Sequence, residues 1–473
     1  MRLTRRELLA GGAAAAALGT AGIYELVDRL GRTPERQTPP QSLPPEQHVL
    51  EGLQVVEDND VEVIVPPLHH QLVTAKLKVD PRRSELRRAQ ADLEEALRSL
   101  DGAYGPGAGG LGVTVAWGLP YFRRFVAQPA ETHLPVDRRA TKTKHRPVRA
   151  LIDAVKFPSD PEELVLEDND VALLFRSDEL EHVEAGARKV FDELDGLFEK
   201  TSLRKGFAGG GFDGSRSLPK QMAMAAGVPG ADLIPENAEL FLGFTSTQKA
   251  GLGPAAIANH ETLGYVDLGP AGYFHSGTAM HLSHIFENLE AWYLNFDFDE
   301  RVTTTFTPDK KVPPGTQTVA QGPDQVADTT QVVSDFQRHG TIGHSAAIQT
   351  TSRLLQDVVG PDGTIYEKGT AIPQRADFNT LDNPFFWSAD PERDGQQAGP
   401  SAGVHFVVFN PTSDDFHRNR LAMDGFLPDG TKLPFEPRDR GQGLNSVLRT
   451  THRQNFIVPP RQHRSFPLVE FLR

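Results

Sequence analysis

The sequence has no cysteine in its 473 residues. That excludes disulfides, thiolate nucleophiles, iron–sulfur clusters and cysteine-ligated zinc or haem in one step. Methionine is also scarce, with only 5 residues, so few side chains are readily oxidised. Such a composition is compatible with meeting oxidants but does not establish that the protein does so. Basic charge is equally short: the formal net charge is −14 and no basic stripe stands out, which argues against a nucleic-acid partner. After the N-terminus, no segment approaches the ~20 apolar residues of a membrane span. No phosphate-loop lysine motif occurs. "NHETLG" opens like a zinc-protease motif, but Gly264 stands where the second histidine is required.

What is present is enough for a substantial core. Hydrophobic residues make up 38% and charged residues 24%, at a length that suits two or three domains or one large duplicated one. The first residues read differently. Arg5-Arg6 is followed by Leu8-Leu9 and a weakly apolar Ala/Gly run to Ile23, the pattern of a twin-arginine export signal. Residues 1–31 are therefore expected to form that signal and to lie outside the fold, with residues 32–47 a Pro-rich linker. The expected location is across the cytoplasmic membrane, with the twin-arginine machinery as a partner; retention by an uncleaved signal stays open. That route carries folded proteins, which raises the expectation of a cofactor loaded before export.

The remainder alternates between strand and helix periods. "HQLVTAKLKV" (70–79) alternates as a half-buried strand, and "SELRRAQADLEEALRSL" carries Leu86, Ala89, Leu93, Leu97 and Leu100 on one helical stripe ended by Gly102. "LGVTVAWGLPYF" (111–122) and "NDVALLFRSD" (169–178) read as strands, with Asp178 placed to cap a following helix. Further on, "AELFLGF" (238–244) reads as a strand and "GTAMHLSHIFENLEAWYLN" as a helix. "AGVHFVVFN" (402–410) reads as a buried strand, followed by a helix stopped by Gly425. This order predicts an α+β fold of duplicated ferredoxin-like domains, antiparallel sheets with peripheral helices. The expected domains are 48–205 and 235–473, with 206–234 as connector.

Three stretches carry candidate chemistry. His281, His284 and Glu287 fall at i, i+3, i+6 of the expected helix, a spacing that could present metal ligands or simply pack. "QRHGTIGHSAAIQTTSR" (337–353) sets His344 among small uncharged residues, with Arg353 nine positions on; such an imidazole could ligate a metal from a pocket wall. "KGFAGGGFDGSRSLPKQ" (205–221) surrounds Asp213 with Gly210, Gly211 and Gly214. That suits either an Asp-Gly surface turn or a backbone brought close to something flat.

"GGFDG" fits Gly-x-x-Asp-Gly and resembles the signature of the dye-decolorizing peroxidases. Other stretches resemble that family in the same order: "GLGVTVAWGLPYF", "KFPSDPEELVLEDNDVALLFRSD", "NAELFLGF", "GTAMHLSHIFENLEAW" and "AGVHFVVFNPTSDDF", over roughly residues 50–473. The resemblance implies haem b (iron protoporphyrin IX), H2O2 as oxidant and a small-molecule or dye-like electron donor. It matches Asp213 and Arg375 to the distal acid and arginine, and His344 to the proximal iron ligand, with His339 the fallback. Gly210, Gly211, Phe212, Gly214 and Arg353 are implied as haem contacts. The sequence departs from the family at Gln374, where a second arginine is frequent, and in "SAAIQTTSR" after His344. In such a site a carboxylate moves a proton from the near to the far oxygen of H2O2 while a guanidinium keeps it ionised. A haem-binding or haem-delivery protein of the same fold is the alternative. Trp117, Trp292 and Trp387 are available for electron transfer, though packing suits at least the first two.

Overall fold

The structure, a computed structural model, describes residues 21–31, 43–50, 52–58, 61–208, 216–244, 272–309, 311, 329–344, 357–359, 365–366, 374–381, 400–436, 438–439 and 442–473. Strands β1 (Val55–Asp58) and β2 (Val61–Ile64) form a separate antiparallel ribbon. The first half of the main sheet comprises β3 (His69–Leu77), β4 (Gly112–Gly118), β5 (Val165–Leu166), β6 (Val171–Ser177) and β7 (Phe198–Phe207). The second half starts with β8 (Thr278–Glu287). A small ribbon of β9 (Val358–Val359) and β10 (Ile365–Tyr366) intervenes before β11 (Gln374–Arg375), β12 (Phe378–Thr380), β13 (Gly403–Asn410) and β14 (Leu448–Val458).

The pairings form two copies of one pattern. In the first, the order β7–β3–β6–β4 is antiparallel throughout. Helices Arg83–Tyr104 and Leu180–Phe191 connect β3 to β4 and β6 to β7. In the second, the order β12–β13–β8–β14 repeats this arrangement, with helix Ser413–Met423 joining β13 to β14. The fold is thus a duplicated ferredoxin-like α+β fold. Two seams join the copies: β4 to β14 through Gly118↔Phe456 and Trp117↔Ile457, and β7 to β12 through Phe207↔Asn379. Together they close an eight-stranded ring, with β11 extending the β12 edge along β13. A side chain cannot stand at Gly206 beside the second seam, because a Cβ there would lie 2.1 Å from the Asn379 carbonyl oxygen.

Alternation along the strands divides the core in two. Leu72, Ala116, Leu174, Leu282, Val407 and Phe456 cluster in the lumen of the ring. Val73, Val115, Leu173 and Phe175 face outward under the stripe Leu86, Ala89, Leu93 and Leu97. That helical stripe was legible in the sequence, but the helix runs past Gly102 to Tyr104 and ends at Gly105.

Four local expectations are corrected. Residues 278–287 form strand β8, and only Leu289–Asn295 is helical. Both faces of β8 are buried, so its apolar run lacks the alternation that marks a half-exposed strand. Residues 238–244 form a closed turn rather than a strand: the Glu239 and Leu240 amides both donate to the Phe244 carbonyl. Asp178 does not cap a helix; its Oδ1 accepts from the Leu68 amide, and Glu179 occupies the N-cap. The N-terminal segment is not wholly outside the fold. Ala21–Leu30 is a helix whose Ile23, Tyr24 and Val27 pack with Leu68, Phe207 and Met222, and Tyr24 Oη donates to the Lys205 carbonyl at 2.9 Å.

Candidate functional site

The approach to His344 is set by backbone fit. Helix Thr329–His339 ends at Gly340, and Ile342 then packs with Val332, Leu427 and Leu433. Gly343 follows at φ 64°, and a Cβ there would lie 2.4 Å from the Phe306 carbonyl oxygen, so the chain passes closely over the end of helix Phe298–Thr305. Gly443 lies against the other side, its would-be Cβ position 3.6 Å from the His344 amide nitrogen. Close backbone packing thus fixes Gly343, the residue that leads into His344.

The imidazole is neutral. Although the residue as a whole is half-buried, its Nδ1 is buried and makes no hydrogen bond among the described residues. Burial pushes its pKa down to about 4, and the positive charges of Arg420 and Arg375 act in the same direction. The second of these is the arginine matched to the distal position. Arg375 lies on β11 opposite Val408 of β13, half-buried on the outer face of the second sheet. Asp213, Gly210, Gly211, Phe212, Gly214, Arg353 and Trp387 lie outside the described residues. His339 is engaged at the helix end, its Nε2 2.7 Å from Asp309 Oδ1.

Arg420 belongs to a network that sequence reading missed. Its Nη1 donates to Asp424 Oδ1 at 2.8 Å and its Nη2 to Ser159 Oγ, while its guanidinium lies 5.3 Å over the Phe157 ring. Arg453 Nη2 donates to Asp160 Oδ1 at 3.0 Å, with both side chains almost wholly buried. Burial alone would raise the Asp160 pKa, but Arg453 and Arg420 outweigh it and hold the carboxyl below its usual range. The acidic loop of the first copy is thereby fixed onto the helix and strand that flank the His344 region. The only sequence signal was "KFPSDP" itself; its partners lie 260–293 residues away.

His281 and His284 do not form a metal pair. They sit on β8 rather than a helix, so their odd spacing sends them to opposite faces. His281 lies within 2.7 Å of both Asn455 Oδ1 and Ser283 Oγ, which occupies both ring nitrogens. His284 Nδ1 meets Thr451 Oγ1 at 2.7 Å on the lumen side. Among the described residues no group of three or more His, Cys, Asp or Glu could hold a metal ion. Trp117 and Trp292 are packing residues, donating to the carbonyls of Arg464 and Leu242.

A closed ring of two ferredoxin-like copies defines the fold class of this protein. Its sequence matches the family model of DUF7405, a family of unknown function, over residues 67–460, and the chain belongs to that family. No curated protein matches it. Among solved structures it is similar to a DyP-type peroxidase from Cellulomonas bogoriensis at TM-score 0.50 and 18% identity, covering 88% of this chain and 96% of that one. It is also similar to DtpA from Streptomyces lividans, solved as an oxyferrous complex, at TM-score 0.50 and 17% identity, covering 89% and 94%. The resemblance read from the sequence, to a divergent dye-decolorizing type, therefore holds at the level of fold.

Proposed function

We propose that this chain is a haem-dependent peroxidase that reduces H2O2 and oxidises an organic donor. The observation that carries the reading is His344: an imidazole kept neutral by burial and by the charges of Arg420 and Arg375, whose buried Nδ1 has no hydrogen-bond partner among the described residues. The residues present fit haem b in this respect, since an axial ligand must be unprotonated. His344 would hold the iron, and the haem would supply the redox chemistry when bound.

The chain's own residues account for the rest of the proposal. Asp213, in the connector 206–234, would accept a proton from H2O2 and return it to the departing oxygen. Arg375 would keep that carboxylate ionised and stabilise the developing negative charge. Arg353 and the glycines 210, 211 and 214, with Phe212, would contact the ring. Export by the twin-arginine route, directed by Arg5 and Arg6, would place the enzyme outside the cytoplasmic membrane. An Arg5→Lys/Arg6→Lys variant retained in the cytoplasm would support that location, and normal export of it would refute it. The haem reading is tested by purifying the protein from haem-replete cells. A strong Soret band supports it; a folded, colourless protein that takes up no added hemin refutes it.

A further inference from the structure

The lumen of the ring holds a polar cluster that the peroxidase reading does not use. Register places His405 of β13 opposite His284 of β8, His284 opposite His452 of β14, and Phe378 of β12 on the other side of His405. The rings of His284 and His405 are 5.0 Å apart, as are those of His405 and Phe378. Arg204 projects inward from β7, and its Nη2 donates to Glu167 Oε2 at 2.6 Å. Thr451 Oγ1 lies 2.7 Å from His284 Nδ1 and 3.0 Å from His452 Nδ1. Each of these side chains has a partner. Among the described residues His405 has only ring contacts: it is 0% exposed, and neither Nδ1 nor Nε2 has a hydrogen-bond partner.

Two unsatisfied nitrogens on one buried imidazole carry a full desolvation penalty each, and native interiors rarely leave such groups without a protein, water or ligand partner. The surroundings indicate the sign of that partner. The groups whose charge acts on His405 are His284 from β8, His452 from β14 and Arg204 from β7, each of them positive when charged; Phe378 from β12 is neutral. Glu167, behind Arg204, already accepts from that guanidinium. A metal cation is disfavoured by the same charges. We propose that the ring lumen is a binding site for one small monovalent anion of halide size, taken up together with a proton on His405.

Uptake of one anion and one proton leaves the lumen charge unchanged, and one N–H of the imidazolium donates to the anion. No covalent bond changes. The site is separate from the proposed haem pocket: Arg375 pairs with Val408, three residues from His405, and so lies on the opposite face of the sheet.

Bromide is the probe. Thermal midpoints of the full-length protein would be compared in sodium bromide and sodium gluconate at equal ionic strength, at pH 5.5 and pH 8. The proposal expects bromide to raise the midpoint, more at pH 5.5, and expects His405→Phe to abolish the difference. A bromide effect of equal size in His405→Phe would overturn it. Crystals of the wild-type protein grown in bromide supply a readout that does not depend on a variant folding. An anomalous peak within hydrogen-bonding distance of His405 supports the proposal. An ordered water there with no anomalous signal, a buried water only, overturns it.

Discussion

Asn379 pairs with Phe207 across the narrower of the two seams, and this single bridge is what turns two sheets into a closed ring. The other seam has two bridged pairs, Gly118↔Phe456 and Trp117↔Ile457. The neighbouring Gly206 is the only side chain size that the Asn379 carbonyl permits, since even a Cβ would approach to 2.1 Å. Gly206→Val is therefore expected to destabilise the protein by about 1–3 kcal/mol or more through overpacking. Urea denaturation checks this; an unchanged midpoint would show that the seam opens at no cost.

The buried pair Asp160–Arg453 gives a second expectation. Removing one partner leaves the other charged and buried, so Asp160→Ala is expected to cost about 3–5 kcal/mol. Replacing both, as in Asp160→Leu/Arg453→Met, is expected to recover a large part of that loss. A double variant no more stable than the single one would mean that the pair contributes more than mutual neutralisation.

Those two residues also show what the sequence could convey. Strands β3, β4, β6 and β13 were legible because period-2 or continuous apolar runs sit between clear turn signals. Strand β8 was not, because Leu282, Ile285, Phe286 and Leu289 at spacings of three and four imitate a helix face, while burial on both sides of the strand removes the period-2 alternation. Asp160, Arg420 and Arg453 look like ordinary surface charges in sequence, since their pairing depends on contacts 260–293 residues apart. The Ala21–Leu30 helix was read as signal because it continues the Ala/Gly run that follows Arg5-Arg6; its burial comes from packing with Leu68, Phe207 and Met222. His344 was picked out by its small neighbours, but the close approach of Phe306 to the preceding Gly343 could only be seen in three dimensions.

Buried histidines make stability depend on pH in a definite direction. Burial lowers the folded-state pKa values of His70, His281, His284 and His405 well below 6.5. Below that value the unfolded chain binds more protons than the folded one, so stability is lost as pH falls through about 6.5, the ordinary histidine value. Each such histidine contributes on the order of 1 kcal/mol per pH unit. Glu287 acts in the opposite sense. Burial pushes its pKa up to about 8, so the folded state keeps a proton that the unfolded state loses, offsetting roughly one histidine between its unfolded and folded values. Urea midpoints in gluconate buffer should thus fall between pH 7 and pH 5. A flat profile would contradict the burial of these rings.

The ligand assignment separates two histidines five residues apart. His344→Ala is expected to lose haem or change the iron spin state, whereas His339→Ala should keep it, because that ring is engaged by Asp309 at 2.7 Å. Absorption spectra of the two purified variants check this. Haem lost from His339→Ala and kept by His344→Ala would move the ligand to His339 and leave the fold untouched.

The central claim is that the chain turns over H2O2 rather than merely holding haem, and the most direct test is the rate at which the haem-loaded protein reacts with H2O2. Stopped-flow absorbance would compare wild type with Asp213→Ala and Arg375→Ala. If these side chains move the proton and stabilise the departing oxygen, haem should stay bound and at least one variant should be slower by ~10²–10⁴-fold, the usual contribution of general acid–base catalysis. Rates in both variants equal to wild type would contradict the account and leave a haem-binding protein in its place.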